Sequence, residues 1–120
     1  MEHIDRKSHI EQIMKKSIVD LIRLDNIDLS QKGFTRKHHF RSIYIYYVFE
    51  ENIVVIEGEL SGDRKYDFLI YAEYKHLKYS YNPLTNTFKE LSFEDKQNIQ
   101  ANLIEWLSQE HIKNDIKAGV

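Results

Sequence analysis

The arrangement in this chain that comes nearest to active-site chemistry is an acidic and a basic residue separated by one position. Glu73 and Lys75 flank Tyr74, and Asp63 or Glu59 lies upstream as a further carboxylate. In an extended strand, Glu73 and Lys75 point to the same face. Two carboxylates can hold Mg²⁺, and a lysine beside them can position or deprotonate an attacking water. The spacing fits a metal-dependent hydrolase, and a simple ion pair between the two side chains explains it as well.

The same triplet resembles the E-x-K element at the end of the central hairpin in PD-(D/E)xK nucleases. The resemblance implies metal-dependent cleavage of nucleic acid, with Glu73, Lys75 and Asp63 at the metal site. The chain departs from the family pattern, because no Pro-Asp pair precedes the triplet and a predicted hairpin follows it where the family continues with a helix. This nuclease is the alternative that belongs to the enzyme class.

Other motifs for catalysis or metal binding are absent from the sequence. It contains no Cys, which excludes disulfides, thiolate catalysis and cysteine-ligated zinc. His38 and His39 are adjacent, so in an extended chain they point to opposite faces and do not ligate one ion together. With four Gly in all, the chain also has no glycine-rich phosphate loop. We therefore predict a non-enzymatic protein without a cofactor or a resident metal.

Length and charge bound the class of protein. At 120 residues the chain fits a single domain, 1–120, and a domain of this size buries about two-thirds of the surface that its unfolded chain exposes. The formal net charge is −2, which is too balanced for a general DNA-binding protein. No apolar run approaches the ~20 residues of a membrane span, and the first residues lack the layout of a signal peptide. We expect a cytoplasmic protein with no membrane partner.

One stretch of the chain is locally basic. It could attract a phosphate or an acidic partner, although most such runs are solvated loops. Acidic residues on the adjoining predicted hairpin would repel a nucleic-acid backbone, so we do not expect nucleic acid as a partner. The basic stretch consists of Lys32, Arg36, Lys37, His38, His39 and Arg41.

Two segments have the pattern of amphipathic helices. Ser8 and Glu11 form a capping-box pattern, and apolar residues then recur at three- and four-residue spacing, which predicts a helix over 8–25. Ser92 opens a second capping pattern, which predicts a helix over 92–109. From His111 onward we expect the tail to fray.

Between the helices the apolar period changes to two, which predicts strands over 40–49, 53–60, 66–74 and 77–81, with a short fifth strand over 87–91. The connections are short, so the sheet should be an antiparallel meander, and residues 26–39 should form an irregular loop. The predicted fold is α+β, a two-layer sandwich in which both helices lie on one face of a sheet of four or five strands. The residues predicted to be buried are Ile13, Ile18, Ile45, Phe68, Ile70, Leu103 and Trp106.

The face of the sheet opposite the helices is the predicted binding surface. Alternation along the strands places tyrosines and carboxylates there together, and tyrosine combines a large apolar ring with a polar tip, as binding surfaces often require. The same tyrosines could instead reflect β-propensity on a face that a loop or a second subunit covers. The predicted binding residues are Tyr44, Tyr46, Glu57, Glu59, Tyr71 and Glu73.

The function that best fits this surface is binding of a partner protein, most concretely in the manner of a bacterial immunity or antitoxin-type protein that holds a toxin or effector. Such partners of basic nucleases use charge complementarity for fast association. Besides the nuclease, the alternatives are a protein similar to secretion chaperones and a structural homodimer.

Overall fold

The computed structural model describes residues 6–120, and these residues form an α+β fold in which two helices flank an antiparallel sheet. The predicted fold class and the order helix, strands, helix are confirmed. In chain order the elements are α1 (Arg6–Leu24), β1 (Gly33–His39), β2 (Ser42–Phe49), β3 (Asn52–Leu60), β4 (Phe68–Ile70), a 3₁₀ turn (Tyr74–His76), β5 (Tyr79–Asn82), β6 (Thr87–Glu90) and α2 (Phe93–Gln109).

The sheet is organised around β3, the longest strand that the structure describes. The strand order is β1-β2-β3-β5-β6, and β4 also pairs with β3. Gly58 of β3 lies opposite Ile70 of β4, whereas Ile53 near the start of β3 lies opposite Tyr81 of β5. All of these pairings are antiparallel. One long strand therefore holds two short ones end to end on the same side.

A strand occupies β1, where the sequence predicted an irregular loop. Its seven residues pair with β2, and the ring of Phe34 stacks on Tyr47 and Trp106 with centroids 4.3 and 5.4 Å away. The sequence gives little sign of this strand because it lies at the edge of the sheet. Arg36 and Lys37 of this strand are charged, and Phe34 is its only large apolar residue.

The predicted strand 66–74 is much shorter in the structure, and the C-terminal tail is packed where fraying was expected. β4 covers only Phe68–Ile70. Beyond α2, the Asp115 carboxylate accepts a hydrogen bond of 2.8 Å from the Ile70 amide, and Ile112 is buried. The tail is held because Ile112 fills the core and Asp115 satisfies a backbone donor of β4.

The two helices pack on opposite faces of the sheet, so the sheet is the middle of three layers. Ile45 of β2 joins a core cluster with Leu103 of α2, whereas its neighbour Tyr46 joins another cluster with Ile22 of α1. Placing both helices on one face was therefore wrong. The physical reason is that both faces of β2 and β3 are apolar, so each face needs a cover.

The α2 side is the more fully buried face. Its buried members are Ile43, Ile45, Val54, Ile56, Ile70, Ala72, Leu77, Leu91, Ile99, Leu103, Leu107 and Ile112. Gly58 lies on this side, and a Cβ added there would come within 2.8 Å of the Ile43 side chain and 2.9 Å of the Leu69 carbonyl. The absence of a side chain at Gly58 is what allows β2, β3 and β4 to pack this closely.

One helix-capping prediction holds and the other does not. The Ser92 hydroxyl accepts a hydrogen bond of 3.1 Å from the Asp95 amide and caps α2 as predicted. Ser8 lies inside α1 and does not cap it, since the helix already includes Arg6. No described helix has the length and apolar character that crossing a membrane requires.

Of the seven residues predicted to be buried, three are buried, three are partly buried and one is exposed. Ile45, Ile70 and Leu103 are buried, and Ile18, Phe68 and Trp106 are partly buried. Ile13 is 57% exposed, which corrects that prediction. The side of α1 that meets the sheet follows Ile18 and Ile22, spaced four residues apart, so Ile13 falls on the outer side.

Candidate binding surface

The α1 face of the sheet is covered only in part, and a row of polar and aromatic side chains lies beyond the helix. Tyr44 of β2 lies opposite Glu57 of β3, and the Tyr71 amide donates to the Glu57 carbonyl at 2.9 Å. Directly opposed residues present their side chains on one face. The sequence predicted that Tyr44, Glu57 and Tyr71 lie on one face of the sheet, and the register of the strands agrees with this prediction. Glu57 and Tyr71 are exposed and Tyr44 is half-buried.

Tyr71 is the centre of this surface. Its hydroxyl donates a hydrogen bond of 2.6 Å to Glu59, and its ring meets His76 edge to face at 5.6 Å. The hydrogen bond to Glu59 raises the pKa of the Tyr71 hydroxyl, and the negative charges of Glu59, Asp115 and Glu57 act in the same direction. Tyr71 therefore lies among carboxylates. We call Tyr44, Glu57, Glu59 and Tyr71 the acidic surface.

An apolar cleft opens between α1 and the acidic surface. It has a volume of about 280 Å³, and Glu57 and Tyr71 belong both to its wall and to the acidic surface. Ligand pockets usually hold roughly 300–1,000 Å³, so this cleft suits a side chain or a small apolar group. The residues that line it are Met14, Ile18, Val54, Val55, Glu57, Tyr71, Lys75, His76, Leu77, Lys78 and Tyr79.

Tyr46 is not part of this surface, which corrects the expectation that it is exposed. It is fully buried under α1, where its hydroxyl donates to the Asp25 carboxylate and lies 3.3 Å from the Leu21 carbonyl. His39 Nε2 lies 2.7 Å from the same carboxylate. Burial, followed by the hydrogen bond to Asp25, raises the pKa of Tyr46. Tyr46 thus joins the C-terminal end of α1 to the sheet.

Glu73 and Lys75 form an ion pair, with Nζ and Oε2 3.3 Å apart. The nuclease resemblance required Glu73 to lie on a strand. Glu73 instead directly precedes the 3₁₀ turn. Asp63 lies in the loop between β3 and β4, where its carboxylate accepts from the Lys65 amide at 2.9 Å. Among residues 6–120, no group of three His, Asp or Glu side chains is arranged to hold a metal ion. The geometry matches the ion-pair interpretation of the triplet.

The basic stretch lies on and around β1. Arg36, Lys37 and His38 are exposed, and His39 contacts Asp25. Lys37 lies opposite Tyr44, so the row that includes Tyr44, Glu57 and Tyr71 begins with a cation at the edge of the sheet. The surface therefore changes from basic at β1 to acidic at β3, which carries Glu57 and Glu59.

Sequence reasoning missed the cleft, because Met14 and Lys75, which both line it, are 61 positions apart by their residue numbers and come together only in the folded chain. It also missed the exposure of Phe40, which was assigned to the first predicted strand and is 95% exposed. The left-handed backbone of Phe40 has no sequence signal, since turns of this kind usually carry Gly or Asn.

Comparison with known proteins found no relative of this chain. No family model matches the chain, and neither a curated protein nor a solved structure matches it significantly. The structure is an α+β fold in which α1 covers only part of one face of the sheet.

Proposed function

We propose that this chain is a non-enzymatic protein-binding module that holds a basic partner protein through the acidic surface and the adjoining cleft. The observation that carries the proposal is Tyr71, an exposed tyrosine hydrogen-bonded to Glu59 beside an apolar cleft. Aromatic residues placed next to apolar pockets supply much of the energy of protein interfaces.

The two parts of the surface have different roles in this proposal. An apolar side chain of the partner enters the cleft over Ile18 and Val55, and Tyr71 packs beside it. Lysine or arginine side chains of the partner meet Glu57 and Glu59, whose charges speed association and set its salt dependence. Glu73, paired with Lys75, lies at the margin and contributes little.

The most concrete form of the proposal is a bacterial immunity or antitoxin-type protein acting in the cytoplasm. A toxin that cleaves nucleic acid has a basic active surface, which an acidic surface can cover. The chemistry of the surface supports this form of the proposal, whereas the fold does not select a function, because a fold of this class hosts many functions.

The test uses the partner that the tagged chain captures in the organism that encodes it, followed by calorimetry on the purified pair. We expect Tyr71→Ala to weaken binding about thirtyfold, as truncation of a central aromatic residue does. Leu84→Ala is the matched control, because Leu84 is 69% exposed in the turn between β5 and β6, outside the cleft. Equal affinity of the two variants contradicts the proposal.

A charge-reversal pair tests the role of the carboxylates. Glu57→Lys should slow association and flatten its dependence on salt, because a charge that attracts the partner is reversed. Glu51→Lys, an exposed change of the same kind in the turn between β2 and β3, should change the association rate much less. If both variants slow association equally, net charge and not the acidic surface governs binding.

A further inference from the structure

The sheet has one long edge that no described element covers. The outer side of β4 is bridged by Asn114 of the tail, and β6 at the far edge has only four residues. β1 has seven residues, and over residues 6–120 no backbone hydrogen bond joins it to any element other than β2. A strand of this length with open backbone groups is a template for a further strand.

The side chains on this edge are cationic. Arg36 and Lys37 are exposed on β1, Arg41 is exposed in the turn that follows, and none of the three has an ion-pair partner among the described residues. If two copies of β1 paired as antiparallel strands about Arg36, like charges would face each other, which is unfavourable. The charges therefore disfavour a second copy of this chain and favour a segment that carries carboxylates.

Phe40 distinguishes this edge strand from an edge strand that carries only charged side chains. It occupies the two-residue turn between β1 and β2 with a φ of 59° and is 95% exposed. Glycine suits a positive φ, whereas a bulky residue there is strained. Lysine and arginine alone are enough to protect an edge from aggregation. A strained and exposed aromatic ring beside them adds nothing to that protection, and it fits contact with a partner.

We propose that β1 binds an extended, acidic segment of a partner protein as an added strand, with the Phe40 ring packed against an apolar residue at the end of that segment. Arg36 and Lys37 are neighbours on a strand and point to opposite faces, so they select carboxylates at adjacent positions of the segment. Backbone hydrogen bonds supply affinity in this mode, and the side chains supply specificity. A nucleic acid could use the cations, but it has no peptide backbone and cannot extend the sheet by matching both the open N–H and the open C=O groups of β1.

The first experiment measures fluorescence anisotropy with a labelled peptide of the length of β1, which has two adjacent glutamates at its centre between valines and threonines. We expect it to bind, and the same peptide with lysines in place of the glutamates not to bind. Two further peptides carry N-methyl groups on alternate amides. One of these two should bind about tenfold more weakly, because it loses its hydrogen bonds to β1. Equal binding of all acidic peptides, or no preference over the lysine peptide, overturns the proposal.

Variants of the protein separate contact from folding. The double change Arg36→Glu with Lys37→Glu should abolish binding of the acidic peptide. Phe40→Gly should weaken binding about fivefold while leaving the melting temperature equal or higher, because glycine accepts the positive φ. Unchanged affinity of Phe40→Gly would remove Phe40 from the site and contradict the proposal.

Two controls identify the competing outcomes. A single-stranded thymidine oligonucleotide that binds more tightly than the acidic peptide, with loss in the double variant, would assign the edge to nucleic acid instead. Tyr71→Ala should leave peptide binding unchanged, because Tyr71 lies on the acidic surface and not on β1. Loss of peptide binding in Tyr71→Ala would place the peptide on the acidic surface and overturn the assignment to β1.

Discussion

The two faces of the sheet differ in how completely they are covered. On the α2 side, the helix and the packed tail bury the strand residues from Ile43 to Ile70. On the α1 side, the helix covers Tyr46, Val48 and Ile53, whereas Glu57 and Tyr71 lie beyond it in contact with solvent. The strands supply apolar residues to both faces. The difference therefore comes from the covering elements, and it leaves one region where apolar and charged groups lie side by side.

A buried glutamine explains why the α2 side is complete. Gln100 donates from Nε2 to the Ala72 carbonyl at 2.9 Å, and its Oε1 accepts from the Gly119 amide at 2.8 Å. One side chain of α2 thus fixes both the segment after β4 and the end of the tail. Its two buried polar groups are satisfied, so it can be buried without a penalty for unpaired groups.

The largest effect on stability should come from the α2 side. Leu103→Ala removes a fully buried side chain and should lower the free energy of unfolding by about 2–5 kcal/mol. Urea denaturation followed by circular dichroism measures this loss. A loss below about 1 kcal/mol would mean that this side is less tightly packed than the structure indicates.

Tyr46→Phe should have an intermediate effect, because it removes one hydrogen bond to a charged group and keeps the ring. We expect a loss of about 1.5–3 kcal/mol in the free energy of unfolding. Tyr44→Phe is the control, since the hydroxyl of Tyr44 makes no hydrogen bond in the described residues and its loss should cost less than about 0.5 kcal/mol. Equal costs for the two variants would contradict the role assigned to Tyr46.

The same tyrosine gives a dependence on alkaline pH. The pKa of Tyr46 is raised in the folded protein by burial and by Asp25, so folding favours its neutral form. This stabilisation is fully present below the unfolded pKa of about 10 and is lost as the pH rises above it. The free energy of unfolding, measured by denaturation at pH values from 8 to 11, should therefore decline as the pH rises above about 10. Tyr46→Phe should reduce this decline. Tyr71 and Tyr79, whose pKa values are also raised, contribute with the same sign.

The smallest effect should come from the outer side of α1. Ile13→Ser changes a side chain that is 57% exposed and should alter the free energy of unfolding by less than about 0.5 kcal/mol. Ile22→Ser is the contrast on the same helix, because Ile22 is buried against the sheet and its change should cost several-fold more. A large cost for Ile13→Ser would place that residue at a contact.

The elements that could be predicted from the sequence are those with strong periodicity. α2 combines a capping serine with a regular apolar stripe, and β2 and β3 alternate clearly, so their same-face sets were predicted correctly. β1 could not be predicted in this way, because its own sequence lacks an alternating apolar pattern. It forms a strand because it pairs with β2. The length of β4 is likewise set by where the tail joins it, through Asp115.

The candidate site could be predicted only in part, for a specific physical reason. Periodicity assigned Tyr44, Glu57 and Tyr71 to one face, but it does not say which helix covers that face. The apolar residues at Val48 and Ile53 on the same face required a cover, and α1 supplies it. Tyr46 lies under that cover, whereas Tyr71 lies beyond its edge.

Hydrogen–deuterium exchange of the complex with the captured partner, compared with the free chain, shows directly which face of the sheet binds the partner. We expect protection on binding to concentrate at residues 55–59 and 69–77, which include Glu57, Glu59 and Tyr71 of the acidic surface and much of the sheet side of the cleft, and we expect α2 to change little. Protection confined to residues 93–109, with residues 69–77 unchanged, would contradict the claim that the partly covered face of the sheet is the binding surface.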